Sequence, residues 1–355
     1  MNGRTGFFQG AARVGAVLVA VVSLSFGLSG DGQEPLLTPD QAATLSSLAV
    51  VSSHPLYTMT YVASYATELP AGARAEQSCE SGACSLVAAL GGSEPVFGRN
   101  FDWEECPVLV LFCRPPGGYA SVSLVDVAFL FPAGSPAGRH LDGHSLEQRA
   151  PLLLAPAIPF DGMNERGLAV GMAAVPSAVP PYDPSKRDIH SLGVIREALD
   201  RAATVDEALA VFAEFNIRME GGPPIHYLIA DRTGRSVLIE LTGGKLVALA
   251  SEARWQAATN FLQGQLPAGL DGRCWRYDRL AAQLRLSEGS LATSAALALL
   301  DDVSQSSTQW SAVYGMATQR VCIAVGRMYD EALSFAVTGE RLPSRDAGEA
   351  TTGSP

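Results

Sequence analysis

The chain has 355 residues, 47% of them hydrophobic, with 35 glycines, 22 prolines and a net charge of −11. That is enough for one large domain with a sizeable core. Lysine occurs only at 186 and 245 and there is no basic block or basic aromatic stripe, which excludes the clustered cations that binding to nucleic acid requires. At the N-terminus Arg4 and Arg13 precede an apolar run, Val14 to Leu28, which ends in Ser29-Gly30-Asp31-Gly32. Such a run suits the core of a signal peptide better than a membrane span, which needs roughly 20 residues. Residues 1–30 are expected to be a signal peptide or, if uncleaved, a membrane anchor. The expected location is secreted, periplasmic or cell-surface, in a bacterium to judge by the arginine bias.

Residues 30–45 read as an exposed linker, 56–62 as a strand, and 68–82 as a Gly/Ala/Ser/Glu-rich loop. Ala83 to Leu90 is an apolar run, Gly91-Gly92-Ser93 a turn, and Val96-Phe97 the start of a return strand. Strands are predicted at 84–90, 95–101 and 120–131, a turn at 162–167, and a buried strand at 168–174. Helices follow at 192–202 and 205–215, the second announced by a capping box of Thr204 and Glu207. Segments 225–230 and 236–241 flank Asp231-Arg232-Thr233-Gly234 as a hairpin. Next come a strand within 256–261, helices at 276–284 and 291–301, and a last hairpin of 311–316 and 321–325. The polar residues 341–355 read as a disordered tail. Paired strands with helices in blocks predict a layered α+β fold over a doubly wound parallel sheet.

The first hairpin concentrates chemistry. It brings Cys84, Arg99 and Asp102 to one end of a sheet, and a cation beside a thiol favours the nucleophilic thiolate. Six cysteines stand at 79, 84, 106, 113, 274 and 322. Export permits disulfides, with Cys106–Cys113 and Cys274–Cys322 as possible pairs, but spacing alone does not fix connectivity. The five histidines (54, 140, 144, 190, 226) are scattered. No metal site and no cofactor is expected.

Five segments together resemble the choloylglycine hydrolase and penicillin V acylase family, the linear amide C–N hydrolases, with acid ceramidase and N-acylethanolamine amidase as more distant relatives. They are Cys84-Ser85, Gly98-Arg99-Asn100-Phe101-Asp102, Met163-Asn164-Glu165-Arg166-Gly167-Leu168-Ala169, Ala258-Thr259-Asn260-Phe261 and Arg276-Tyr277-Asp278-Arg279-Leu280. Arg99, Asp102, Asn164 and Asn260 lie 15, 18, 80 and 176 residues beyond Cys84, gaps similar to the family's. The resemblance implies an N-terminal-nucleophile hydrolase, a four-layer αββα sandwich. It implies that Cys84 becomes the first residue of a mature chain and uses its own α-amine as base. Such an amine titrates at about 7.7–8.0, close to working pH. Asn164 and Asn260 would then serve the oxyanion, Asp102 the α-ammonium, and Arg99 and Arg276 the thiolate. The implied substrate is a small N-acyl amide, and a homo-oligomer is possible.

The pattern departs from the simplest family members in the 83 residues that precede Cys84. The expected organisation is therefore a prosegment or small subunit at 31–83, cut autocatalytically at Ala83–Cys84, and a catalytic domain at 84–340. Ser85 stands where Thr is commoner, and Cys79 is a rival start with poorer spacing to Arg99. Three alternatives compete: an acyltransferase on the same thioester, a Cys–His hydrolase pairing Cys84 with His190 or His226, and a binding protein that never frees Cys84.

Overall fold

The computed structural model describes residues 37–52, 54–67, 83–131, 138, 140–266 and 270–343. The expected leader, the loop at 68–82 with Cys79, and residues 344–355 of the tail lie outside the described residues.

In chain order the elements are α1 (Pro39–Ser46), β1 (Ala49–Ser52), β2 (Leu56–Tyr61), β3 (Ala83–Ala89), β4 (Val96–Asp102), β5 (Val108–Cys113) and β6 (Ser121–Asp126). They continue with β7 (Asp161–Asn164), β8 (Ala169–Ala174), β9 (Arg187–His190), α2 (Gly193–Arg201), α3 (Val205–Ala213), β10 (Phe215–Arg218), β11 (Ile225–Ala230) and β12 (Ser236–Thr242). The last are β13 (Lys245–Ala250), β14 (Trp255–Ala258), α4 (Trp275–Leu286), α5 (Thr293–Asp302), β15 (Thr308–Gly315), β16 (Arg320–Val325), β17 (Leu333–Ala336) and β18 (Arg341–Leu342).

Two large sheets face each other. One runs β1-β2-β5-β6-β7-β8-β11-β12-β13, the other β14-β3-β4-β15-β16-β17-β18. They meet through β3 against β8 and β11, and through β12 against β14. Helices α2 and α3 cover the first sheet at β7, β8 and β11, while α4 and α5 cover the second at β3, β4, β14 and β15. The result is the αββα sandwich. A strand covered on both faces reads as a continuous apolar run, and β3 is buried throughout except at Ala83.

The period of 2 along β3 decides where the thiol goes. Cys84, Leu86 and Ala88 belong to the core between the sheets, whereas Val87 and Ala89 pack with α4 and α5. The sheets approach closely here. A Cβ on Gly171 of β8 would lie 2.9 Å from Leu86 and 3.1 Å from Phe97, so any larger residue at this crossing requires those side chains to shift.

Several expectations are corrected. Residues 39–45 of the expected linker lie in α1 (Pro39–Ser46), opened by a full capping box of Thr38 and Gln41 and anchored by the fully buried Leu45. Val108–Cys113, where no strand was expected, is β5, paired in parallel with β2 and antiparallel with β6. Its six consecutive buried residues carry no alternation to betray it. The tail begins later than 341, since Arg341 and Leu342 pair with β17. Cys106, Cys113, Cys274 and Cys322 are free, so neither proposed disulfide forms among the described residues.

The segment ahead of Cys84 is built into the first sheet. Tyr61 donates its hydroxyl to Leu153 O at 2.8 Å, Arg149 donates to Leu45 O at 3.2 Å, and Thr67 donates to Glu197 of α2 at 2.6 Å.

One buried carboxyl generates a prediction. Asp126 caps the 3-10 turn Val127–Leu130, accepting from Ala128 N at 2.8 Å. Burial pushes its pKa up to about 7, against the pull of the Ala128 N–H and the Cys106 thiol. In the unfolded chain the carboxyl ionises near about 3.9, so its contribution to stability is full below that pH and is lost as pH rises through about 7. Asp126→Asn should match the parent in thermal unfolding at pH 4 and exceed it by a few kcal/mol at pH 8. Parallel curves for the two proteins across that range would refute this assignment.

Candidate active site

β14 ends at Ala258, opposite Leu86. The edge of β3 at Cys84 therefore has no strand beside it, and its buried N–H and C=O need other partners. The chain supplies them from two places. Cys84 N donates to Asn260 Oδ1 at 2.7 Å, two residues beyond the end of β14. Arg276, in the first turn of α4, donates Nη1 to the Cys84 carbonyl and to Ser85 Oγ (3.1 Å), and Nη2 to Asn260 Oδ1 at 3.0 Å. Asn260 Nδ2 in turn donates to Ala174 O of the facing sheet at 2.8 Å.

The thiol itself points between the sheets, where Arg99 Nη2 lies 3.6 Å from its Sγ. Arg99 has no solvent exposure, and a bare buried charge would be prohibitive. Its counter-ion comes from the other sheet: Nη1 meets Asp161 Oδ2 at 2.5 Å. Asp161 is also held by Trp310 Nε1 at 3.0 Å and by the Tyr314 hydroxyl. The Arg99 guanidinium lies over the Phe101 ring, 4.6 Å from its centroid. Asp102 closes the strand, with Oδ1 accepting from Thr308 Oγ1 at 2.5 Å and Oδ2 from Gln305 Nε2 at 2.7 Å.

Burial pushes the Cys84 thiol up, Arg99 opposes that shift and Asp102 adds to it, with the net direction upward. Burial also raises the Asp102 carboxyl, against the bonds from Thr308 and Gln305. The surroundings of Cys84 thus favour the protonated thiol.

The structure brings Cys84, Arg99, Asp102, Asn260 and Arg276 together and does not bring Asn164. The Asn164 amide is spent on a turn. Its Nδ2 donates to Leu199 O (2.8 Å) and Ala202 O (2.7 Å) at the end of α2, and its Oδ1 accepts from Arg166 N (3.0 Å) and Leu168 N (3.1 Å). No donor is left for an oxyanion at Cys84, which corrects the role expected for it. Arg276 is also corrected in part: it grips the backbone of Cys84, and only Arg99 reaches the sulfur.

Sequence reasoning missed Asp161, Trp310, Tyr314, Thr308 and Gln305. The usable signal was chemical. An arginine in an apolar strand demands a buried carboxylate, and Asp161 stands in an otherwise apolar run, Ile158 to Met163.

The thiol opens into a cavity of about 40 Å³ walled largely by Phe101, Trp103, Phe129, Phe160 and Met172, with His190 and Ser191 as its polar members. His190 Nδ1 accepts from Leu192 N at 3.1 Å and its Nε2 lies 3.5 Å from Ser191 Oγ. His226 faces Glu240 instead, at 3.7 Å. Among the described residues neither histidine hydrogen-bonds the thiol, which removes the geometric basis for a Cys–His pair.

Residues 152–259 match the family model described as linear amide C–N hydrolases, choloylglycine hydrolase family. The match covers 108 of the 355 residues. The enzymes of that family are hydrolases acting on carbon–nitrogen bonds, other than peptide bonds, in linear amides. Among solved structures, a mutant of the conjugated bile acid hydrolase from Clostridium perfringens is 16% identical, with a TM-score of 0.50 over 74% of this chain and 97% of its own. This likeness supports the N-terminal-nucleophile hydrolase fold. Penicillin V acylase from Agrobacterium tumefaciens is 18% identical over 68% of this chain and 82% of its own, with a TM-score of 0.47. The Caenorhabditis elegans ortholog of N-acylethanolamine-hydrolyzing acid amidase is 13% identical over 71% and 99%, with a TM-score of 0.45.

Asp161→Asn keeps the shape of the buried pair but leaves the Arg99 charge without its counter-ion. Breaking such a pair costs about 3–5 kcal/mol, and the variant should lose that much in denaturant unfolding at pH 7. A loss within the range of surface substitutions, about 0.5 kcal/mol, would mean that Arg99 does not depend on this carboxylate.

Proposed function

We propose that the protein is an exported cysteine amidase that hydrolyses the linear C–N bond of an apolar N-acyl substrate, with Cys84 as nucleophile. The observation that carries this reading is the bond from Cys84 N to Asn260 Oδ1 at 2.7 Å. The same nitrogen is the leaving group when the Ala83–Cys84 peptide is cut and the catalytic amine afterwards.

Maturation begins with attack of Cys84 Sγ on the Ala83 carbonyl carbon. The C–N bond breaks, the acyl group moves to sulfur, and the amine takes up the proton. Water then hydrolyses the thioester, releasing a carboxylate at Ala83 and a free thiol at Cys84. In the mature enzyme the α-amine of Cys84 takes the thiol proton as sulfur attacks the substrate carbonyl. The amine leaving group departs protonated, and water hydrolyses the resulting acyl-enzyme. Asn260 supplies the amide that faces the oxyanion, and Arg99 favours the thiolate. Asp102, paired with Ala83 across the hairpin, is the carboxylate available to the new ammonium. The aromatic walls around the thiol suit an apolar acyl group. The apolar run from Val14 to Leu28 supports export, and the dense contacts of residues 37–67 with the first sheet support their retention after the cut.

Purified protein should yield a heavy fragment that begins at Cys84 and hydrolyses N-acyl amides. Cys84→Ala should remain one chain with no turnover. An uncut, inactive parent would leave a binding protein, and an active Cys84→Ala variant would exclude the mechanism.

The thiol should also report maturation. In the uncut chain, where burial holds the thiol protonated, alkylation of Cys84 should be slow at pH 7 and accelerate only as pH rises beyond the ordinary cysteine range. The cut form should react readily near the α-amine range of about 7.7–8.0. Equal rates at pH 7 for the two forms would argue against an amine base.

A further inference from the structure

Glu240 is an acidic residue in the middle of a strand whose other residues from Ser236 to Leu241 are buried and carry no charge, and it is only 1% exposed. A buried carboxylate needs partners, and its own sheet provides one, His226 of β11, with Nδ1 3.7 Å from Oε1. The others come from outside the sheet. Oε1 accepts from Gln263 N at 2.6 Å and Oε2 accepts from Gly264 N at 3.0 Å. Burial disfavours the charge, yet His226 and the two N–H groups hold the carboxyl below its ordinary range.

Gln263 and Gly264 end the short turn that carries Asn260. From the other side Phe261 packs edge-on against Tyr277 of α4, with ring centroids 5.4 Å apart, beside Arg276. Asn260 has no regular secondary structure to place it. Besides its own bonds with Arg276 and Ala174, its position relative to Cys84 is set by what holds the turn at both ends.

We infer that Glu240, backed by His226, is a positioning residue: its carboxylate fixes the 260–264 turn so that Asn260 meets the nitrogen of Cys84. A glutamine at 240 would accept only one of the two N–H groups and present a donor to the other, so the turn must move. A displacement near 1 Å at a reacting group costs up to about 100-fold in rate.

The test has two arms, only one of which rests on the amidase reading. In the Cys84→Ala background the amide at position 84 reports directly on Asn260. Adding Glu240→Gln should speed hydrogen exchange at amides 84, 263 and 264 by about tenfold or more, while Leu228 in β11 stays protected. Faster exchange at 263 and 264 alone would overturn the inference, since the carboxylate would then serve only its local turn. If exchange rises at Leu228 too, Gly264→Ala provides the reading, because its Cβ would press on Glu240 Oε2 from 3.0 Å. It should loosen amide 84 in the same way, and an unchanged amide 84 would overturn the inference. In the cut enzyme Glu240→Gln should lower kcat about tenfold or more with KM unchanged, and Glu240→Gln with Asn260→Ala should be no slower than Asn260→Ala alone. Additive losses would assign Glu240 a purely structural role. A parent protein that hydrolyses no amide would sink the amidase reading and leave the exchange arm to decide this one.

Discussion

The buried ion pair between Arg99 and Asp161 is the constraint on which the site depends. It crosses from β4 in one sheet to β7 in the other, with neither side chain exposed. A guanidinium in that position is tolerated only because a carboxylate and two aromatic faces meet it. Once the pair is in place the sheets have one relative position at this point, and Asp161 itself is locked by Trp310 and Tyr314 of β15. The leftover face of the guanidinium is what the Cys84 sulfur sees. The charge beside the thiol is thus also the rivet between the layers, and its location is fixed by packing.

A second constraint comes from the backbone. Because β14 stops at Ala258, the strand end at Cys84 has one unpaired edge in a dry environment. An adjoining strand would have satisfied it but would have sealed the peptide at Cys84 inside a ladder. Asn260 and Arg276 satisfy the same N–H and C=O with side chains, which leaves that peptide hydrogen-bonded without enclosing it in a ladder. The two arginines therefore divide the work: Arg99 acts on the sulfur, and Arg276 on the main chain that presents it.

Much of this was legible in the sequence, for identifiable reasons. The hairpin holding Cys84, Arg99 and Asp102 was readable because its partners are adjacent in the chain and its turn residues are explicit. Helices α2 to α5 were readable from their periodicity, and α3 from its cap. β5 was not, since a strand buried on both faces has no alternation, and α1 was not, since eight residues with one buried leucine look like linker. Asn164 was misjudged because its spacing matched while its hydrogen-bonding capacity, which only coordinates disclose, was already used. Asp161 and Gln305 were invisible for the opposite reason. Asp161 acts from the facing sheet and Gln305 from just before β15, both far along the chain from Arg99 and Asp102, and no local pattern pairs them.

The cavity and the polar network obey opposite rules, and their boundary passes through Cys84. On one side the walls are rings and a thioether, which offer an acyl chain apolar surface and little competition for hydrogen bonds. On the other, the polar groups of Asn260, Arg276, Ser85 and Asp102 are engaged by named partners, so they lie in fixed positions and need little reorganisation. Such preorganisation is what makes electrostatic stabilisation effective in a dry site. The raised thiol belongs to the dry side of that boundary: burial lifts it, and the Arg99 guanidinium only partly opposes the shift. Under the proposed maturation the Cys84 nitrogen would turn from a spent donor into a base while its contact to Asn260 stays in place.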